Sequence, residues 1–329
     1  MSEMKKIGVL TSGGDAPGMN AAIRAVVRAG INSGMQVYGI RNGYTGLIHM
    51  DMKELDMREV SDTLHRGGTI LGSARCLEFK QPEVVKSAAE RAKENGIDGL
   101  VVIGGDGSFR GARDLSLAGL PTIGLPGTID NDIDCTDYTI GFDTALNTVG
   151  DCIDKIRDTT LSHNRCTFVE VMGKDAGYIA LSAGIAGGSE AILIPEKKFD
   201  IQKDIVQMIL DCQARGKYHY IIVIAEGVGN TQEIAKKTEE LLRTEHNIEL
   251  EIRVCILGHI QRGGRPTVKD RIVASQMGVH AVDLLKQGIG NRVVVKRDGK
   301  ICDLDILDGL NMKKTIDPDM LRLADILSL

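Results

Sequence analysis

Tryptophan is absent from this chain of 329 residues, and aromatic residues make up only 3% of it. Proteins that hold single-stranded nucleic acid by stacking need a platform of such rings, so the composition argues against that class. A basic surplus is missing as well. The 40 Lys and Arg face 45 Asp and Glu, and the formal net charge of −5 gives no support for a nucleic-acid or anionic-membrane partner. A polyanionic substrate would therefore have to meet a local basic pocket. The seven cysteines, at 76, 135, 152, 166, 212, 255 and 302, include no Cys-x-x-Cys pair. Such a scattered set reads as reduced thiols of a cytosolic protein, each a small core residue. No apolar run is long enough to span a bilayer. The opening MSEMKKIGVLTSGG enters a strand almost at once, without a signal-peptide core.

What the chain has is a core and many turns. Hydrophobic content is 43%, charged content 26%, and 39 residues are glycine. These values fit a globular protein of one large or two ordinary domains built by strand–turn–helix repetition. Strands are expected at Lys6–Thr11, Gln36–Ile40, Leu100–Ile103, Pro121–Leu125, Arg165–Met172, Ala191–Ile194, Tyr220–Ala225 and Ile252–Leu257. Helices are expected near Gly18–Ser33, Pro82–Asn95, Ser108–Ala118, 145–160 and Ala176–Gly187. The alternation predicts an α/β protein, doubly wound, with mainly parallel sheets flanked by helices. A second sheet is expected to begin near residue 142, with the chain crossing back around residue 256. That gives a larger domain of 1–141 plus about 256–305 and a smaller one of 142–255 plus about 306–329.

Two segments carry most of the chemical signal. GGDGS at 104–108 follows the apolar run Leu100-Val101-Val102-Ile103. Glycines there leave backbone N–H groups open to phosphate oxygens, and the helix that follows turns its N-terminus toward the anion. Asp106, inside the turn, is placed to hold Mg²⁺, through waters. PGTIDND at 126–132 presents two carboxylates, Asp130 and Asp132, behind another strand, and if extended it points Thr128, Asp130 and Asp132 to one side. Either segment alone is an ordinary turn as readily as a site. At the ends of two parallel strands, where open α/β sheets bind ligands, the pair indicates phosphoryl transfer to a hydroxyl.

Weaker signals surround them. TSGGDAPGMN at 11–20 is a glycine loop that lacks the Gly-Lys-Ser/Thr ending of a P-loop and the dinucleotide fingerprint, and offers Gly14 as a phosphate contact. Arg24 and Arg28 lie four apart on one helical face, which fits a solvated face or a clamp on an anion. Arg75 follows a Gly- and Ser-rich turn. Arg165, Lys174, Arg253, and His259 with Arg262 in GHIQRGG are further basic candidates, and Glu226 could accept sugar hydroxyls.

With these residues together, the chain resembles the ATP-dependent 6-phosphofructokinases of bacterial type. TSGGDAPGMNAAIR, GGTILGSAR, VVIGGDGS, GLPGTIDNDI, GFDTA, VEVMG and GHIQRGG match in the family's order, over residues 5 to 310 or so. The resemblance implies two Rossmann-like domains and transfer of the ATP γ-phosphoryl group to the 1-hydroxyl of fructose 6-phosphate. It makes Asp130 the base, with Arg75, Thr128 and Lys174 at the reacting groups. Gly14, Arg75, Cys76, Gly105, Asp106, Gly107 and Ser108 would line the ATP site, Asp106 holding Mg²⁺. Thr128, Ile129, Asp130, Met172, Gly173, Lys174, Glu226, Ile260 and Gln261 would meet the sugar. Arg165, Arg253, His259 and Arg262 would grip its 6-phosphate, the first two from a neighbouring subunit of a homotetramer.

An effector site for ADP and phosphoenolpyruvate is implied at Arg24, Arg28, Arg157, Gly188, Ser189, Glu190, Arg215 and Lys217. Lys174 stands where many relatives carry arginine, which keeps the charge and loses the planar fork. Pyrophosphate-using relatives carry Asp and Lys at the places of Gly107 and Gly127, so the small residues here point to ATP. The other readings are a pyrophosphate-dependent transferase, a silent metabolite sensor, and an NAD or lipid kinase sharing the GGDG turn. A cytoplasmic location, with no nucleic acid or membrane partner, completes the expectation.

Overall fold

Both faces of a parallel strand are covered by helices, so its sequence reads as an unbroken apolar run. Gly99–Gly104 and Tyr220–Ala225 show this in the computed structural model, which describes residues 4–328: both are buried at every position. The described strands, in chain order, are β1 (Lys6–Ser12), β2 (Gln36–Ile40), β3 (Met52–Glu54), β4 (Gly99–Gly104), β5 (Thr122–Pro126) and β6 (Cys166–Val171). They continue with β7 (Ala191–Leu193), β8 (Tyr220–Ala225), β9 (Ile252–Ile256), β10 (Arg292–Arg297) and β11 (Lys300–Asp305). One sheet runs β11-β10-β5-β4-β1-β2-β3 and the other β7-β8-β6-β9. The second is parallel throughout. The first is parallel except at its two edges, where β3 and β11 run antiparallel to their neighbours. The α/β class with mainly parallel sheets is the expected one.

The chain divides into two units. The first holds the chain up to Ile129, Ile133–Thr144 and Arg262–Lys314; the second holds Asp130–Asp132, Ala145–Gln261 and the chain from Thr315 onward. In the first unit, the helices Met19–Asn32 and Val268–Lys286 pack on one another, and Gly278 lets Ala22 and Ala25 come close. The helices Pro82–Glu94 and Asp106–Leu117 contribute Val85, Ala88, Ala92, Phe109 and Leu115 to a core with Leu10, Leu100 and Val102. In the second unit, Phe168, Ile222 and Ile224 meet Ile205, Ile209, Ile234 and Leu242. Cutting one such isoleucine to alanine costs about 2–5 kcal/mol, from lost transfer energy and the cavity left behind.

Several expectations are corrected. The helix expected from Ser108 begins at Asp106, because Gly105 takes the cap position in an extended conformation and leaves Asp106 in the first turn. The stretch 128–132 is not extended: Asn131 adopts a left-handed φ of 52°, which breaks the alternation that would have aligned Thr128, Asp130 and Asp132. Cys135, Cys166 and Cys212 are buried, whereas Cys76, Cys152, Cys255 and Cys302 are only half-buried and are not simple core residues. Segment 306–314 lies in the first unit, since Ile306 is fully buried in that unit's core. Among the described residues no helix is long and apolar enough to cross a membrane.

Candidate active site

In the first unit the glycine loops gather at a topological switch. β1 lies between β2 and β4, with Ser12 paired to Gly104, so the loops after β1 and β4 leave side by side at the carboxyl ends of two central strands. The Ser108 hydroxyl donates to the Ser12 carbonyl at 3.0 Å and the Ser73 hydroxyl to the Gly13 carbonyl at 2.5 Å. Arg262 also belongs here: its Nη1 donates to the Asp15 carbonyl at 3.3 Å, beside Gly14. Arg75 is exposed in a segment without regular structure, and Cys76 packs half-buried against the core.

The helix Asp106–Leu117 opens on a cap without a side-chain acceptor. Ser108 N–H and Phe109 N–H donate to the Gly105 carbonyl at 2.9 and 3.1 Å, which leaves the N–H groups of Asp106 and Gly107 as the ones a helix start can offer to an anion. The Asp106 side chain is 44% exposed and accepts from Arg110 Nε at 3.0 Å. No group of three or more His, Cys, Asp or Glu able to hold a metal occurs among the described residues. One exposed carboxylate beside open glycines does not make a cage for a resident cation, but it fits Mg²⁺ arriving on a nucleotide, which takes one or two carboxylates plus phosphate and water.

The glycines differ in what surrounds them. A Cβ on Gly107 would meet nothing within 4 Å, whereas one on Gly127 would lie 2.9 Å from Ile103 and 3.2 Å from Met19. Gly127 is therefore enclosed by core, and Gly107 faces open space. Behind β5 the chain bends, burying Thr128 and Ile129 to 7% and 0% exposure. Further on, Tyr138, Gly141 and Thr144 all donate to Asp270, which is fully buried. Burial pushes the Asp270 carboxyl above its ordinary value, against the pull of those donors.

In the second unit, Asp130 is 6% exposed within the bend Asp130–Asp132. Lys174 Nζ lies 3.3 Å from Asp132 Oδ2. Burial alone would lower the Lys174 ammonium, but the charge and hydrogen bond of Asp132 outweigh it and hold the lysine above its ordinary range. The turn that carries Lys174 follows β6. Gly173 and Lys174 both have left-handed φ values, 143° and 56°. That conformation is uncommon for lysine, and two side chains hold it. Glu226, at the end of β8, accepts from Gly173 N–H at 3.2 Å and Lys174 N–H at 2.7 Å. Gln261, fully buried beyond β9, accepts from Met172 N–H at 3.1 Å and donates to the Gly258 carbonyl at 3.0 Å. Three parallel strand ends thus fix one turn. His259 and Ile260, in the same Gly258–Arg262 turn as Gln261, are exposed. Arg165 and Arg253 both hydrogen-bond Glu251.

Of the residues assigned to an effector, the second unit gathers most. Glu190, 4% exposed, bonds Lys217, accepts from Ile221 N–H at 2.6 Å and lies 3.9 Å from Arg157 Nη1. Arg157 also donates to the Gly188 carbonyl at 2.8 Å, and the Ser189 hydroxyl is buried without a partner among the described residues. Arg215 lines a cavity with Glu190. Arg24 and Arg28 sit on their own helix in the first unit, each with a buried Nε that has no hydrogen-bond partner among the described residues. Burial, and then the charge of Arg28, lowers the Arg24 guanidinium from its usual value. Sequence reasoning missed Glu251, whose signal was its spacing of two from Arg253. It also missed Asp270, an acid inside an otherwise helical apolar pattern.

Comparison with known proteins follows this geometry. Residues 6–285 match the family model described as "Phosphofructokinase". The chain is 55% identical over 326 residues to the ATP-dependent 6-phosphofructokinase of Bacillus thuringiensis (strain Al Hakam), covering 99% of this chain and all of that protein. Among solved structures, the Pichia pastoris phosphofructokinase in the T-state superposes with a TM-score of 0.86 at 36% identity, over all of this chain and 38% of that one. The Saccharomyces cerevisiae phosphofructokinase gives 0.84 at 34% identity, over 98% and 48%. This chain thus spans less than half the length of either yeast chain. Since the family model takes in both glycine loops, the Asp130 bend and the Glu226-anchored turn, the chain belongs to the phosphofructokinase family.

Proposed function

We propose that the chain transfers the γ-phosphoryl group of ATP to the 1-hydroxyl of D-fructose 6-phosphate, giving fructose 1,6-bisphosphate and ADP. The carrying observation is the bend after β5, where Asp130 is 6% exposed and Asp132 of the same bend holds Lys174 Nζ at 3.3 Å. Phosphoryl transfer asks little of a protein beyond positioning and charge stabilisation. Asp130 accepts the proton of the attacking hydroxyl. Lys174 and Arg75 supply positive charge where it builds on the transferred group, and Thr128 orients the acceptor end of the sugar.

Gly14, Arg75, Cys76 and Gly105–Ser108 receive the nucleotide, the open first turn of the Asp106 helix facing its phosphates. Asp106 would hold Mg²⁺, which when bound neutralises phosphate charge. Met172, Gly173, Glu226 and Gln261, with Ile129 and Ile260, shape the place of the sugar. Arg165, Arg253, His259 and Arg262 take its 6-phosphate, Arg165 and Arg253 reaching a neighbouring copy in a homotetramer. Arg24, Arg28, Arg157, Gly188, Ser189, Glu190, Arg215 and Lys217 bind ADP as activator and phosphoenolpyruvate as inhibitor. The protein works in the cytoplasm.

ATP is the donor because Gly107 leaves its surroundings open, so nothing occupies the room the rest of the nucleotide needs. The test is formation of fructose 1,6-bisphosphate from fructose 6-phosphate and Mg²⁺ with ATP, run in parallel with pyrophosphate. Turnover with ATP alone is expected. Turnover with pyrophosphate would contradict the donor assignment, and nucleotide binding without turnover would replace the kinase by a sensor.

A further inference from the structure

Three charged side chains of the second unit stand in a row where β6 and β9 begin. Cys166 pairs with Ile252 in parallel register, and Cys166 N–H donates to the Glu251 carbonyl at 3.0 Å. Arg165 and Glu251, one residue earlier on each chain segment, are therefore neighbours. Arg253 follows Glu251 by two residues, the spacing that returns a side chain to the same face of a strand. The Glu251 carboxylate then takes one guanidinium on each oxygen, Arg165 Nε on Oε2 and Arg253 Nη2 on Oε1. The two arginines converge on a single small anion, which is the arrangement a phosphate monoester asks for. β9 is an edge strand of its sheet, so the row is not covered by a further strand.

We propose that Glu251 is a resident counter-anion that the 6-phosphate of the sugar must displace from Arg165 and Arg253, and that it thereby sets substrate affinity. This rests on the reading of Arg165 and Arg253 given above. The side chains of Arg165, Glu251 and Arg253 are 25%, 41% and 63% exposed. Ion pairs so open to water are weak, and a ligand can break them. A phosphate carries nearly twice the charge of a carboxylate and more acceptor oxygens, so it wins both guanidinium groups. Glu251 remains close by as a like charge, and its repulsion offsets part of the gain. The role is one of specificity rather than chemistry: Glu251 touches neither reacting atom.

The test compares wild type with Glu251→Gln, which keeps the size of the side chain and removes its charge. Steady-state kinetics at saturating MgATP and calorimetric titration with fructose 6-phosphate are the two readouts. Glu251→Gln is expected to lower both KM and Kd for fructose 6-phosphate by about three- to tenfold, with kcat within about twofold. Glu251→Asp, which restores a carboxylate, is expected to bring both constants back toward wild type. Loss of a merely structural contact does not tighten binding, so the direction alone separates the two roles. Unchanged or weaker binding in Glu251→Gln would overturn the proposal. Arg165→Ala and Arg253→Ala distinguish the levels of failure. If they raise KM more than about tenfold while Glu251→Gln does not lower it, only the role of Glu251 falls. If they leave KM unchanged, the phosphate reading of the arginines falls with it.

Discussion

After β4 no side chain caps the backbone amides, whereas at the end of β6 the chain commits them to its own side chains. The helix Asp106–Leu117 starts on Gly105 without a side-chain cap; the Gly105 carbonyl takes the Ser108 and Phe109 N–H groups, and those of Asp106 and Gly107 have no acceptor within the helix. The turn Met172–Lys174 is the reverse: Gln261 accepts from Met172, and Glu226 from Gly173 and Lys174. The first arrangement suits a ligand that brings many anionic oxygens and little shape. The second suits a ligand recognised by a few fixed side chains, because a locked backbone fixes where the Lys174 side chain starts. In the proposed function, backbone takes the phosphate in one unit and positioned side chains take the sugar in the other.

The largest expected effect removes the chemistry and leaves both loops standing. Asp130→Asn is expected to lower kcat by about 10²–10⁴-fold with ATP affinity little changed, as measured by steady-state kinetics and nucleotide titration. Near-normal turnover would take Asp130 out of the base role. Next comes the scaffold of the first unit. Asp270→Ala leaves Tyr138, Gly141 and Thr144 without their shared acceptor, and a loss of about 3–5 kcal/mol is expected in thermal or denaturant unfolding.

Two milder substitutions address the loops themselves. Glu226→Gln weakens the acceptor for two N–H groups and is expected to raise KM for fructose 6-phosphate about tenfold, from the loss of about 1–2 kcal/mol of charge-assisted bonding. Gly107→Asp enters open space, so the fold is expected to tolerate it. Its carboxylate would repel the nucleotide and raise KM for ATP by about five- to tenfold. Gly127→Lys has no such room, since its Cβ would press on Ile103 and Met19. A fall in stability of about 1–3 kcal/mol is expected there before any change of donor is seen.

The smallest effect concerns pH. Asp132 holds the Lys174 ammonium above its ordinary value. A raised lysine contributes stability that is fully present below the unfolded value and is lost as pH rises through the folded one. The difference in Tm between wild type and Lys174→Met is therefore expected to stay constant from about pH 6 to 9 and to shrink only above about pH 10.4. The lysine is 63% exposed, so the difference itself is small.

The glycine loops and their strands were legible because fully buried parallel strands read as unbroken apolar runs and glycine marks their ends. Leu100-Val101-Val102-Ile103 before Gly104 is the clearest case. The hairpin of β10 and β11 was not read, although Val293-Val294-Val295 is an apolar run. Its charged, half-buried partner strand hid it, and the telling signal was Asp298-Gly299, where both residues adopt positive φ as a tight hairpin turn requires. The Asp130 bend was legible as a pair of carboxylates behind a strand but not as geometry, since one left-handed asparagine redirects the chain around it. Lys174 in the left-handed region was beyond reach from the sequence for a related reason. Its conformation is held by Glu226, which lies 52 residues away along the chain.

The most direct measurement titrates Gly107→Asp and Glu226→Gln separately with MgATP and with fructose 6-phosphate, by calorimetry. Weakening of MgATP alone in the first variant, and of fructose 6-phosphate alone in the second, is the predicted result. Equal loss of both ligands in either variant would contradict a division of labour between bare backbone and positioned side chains.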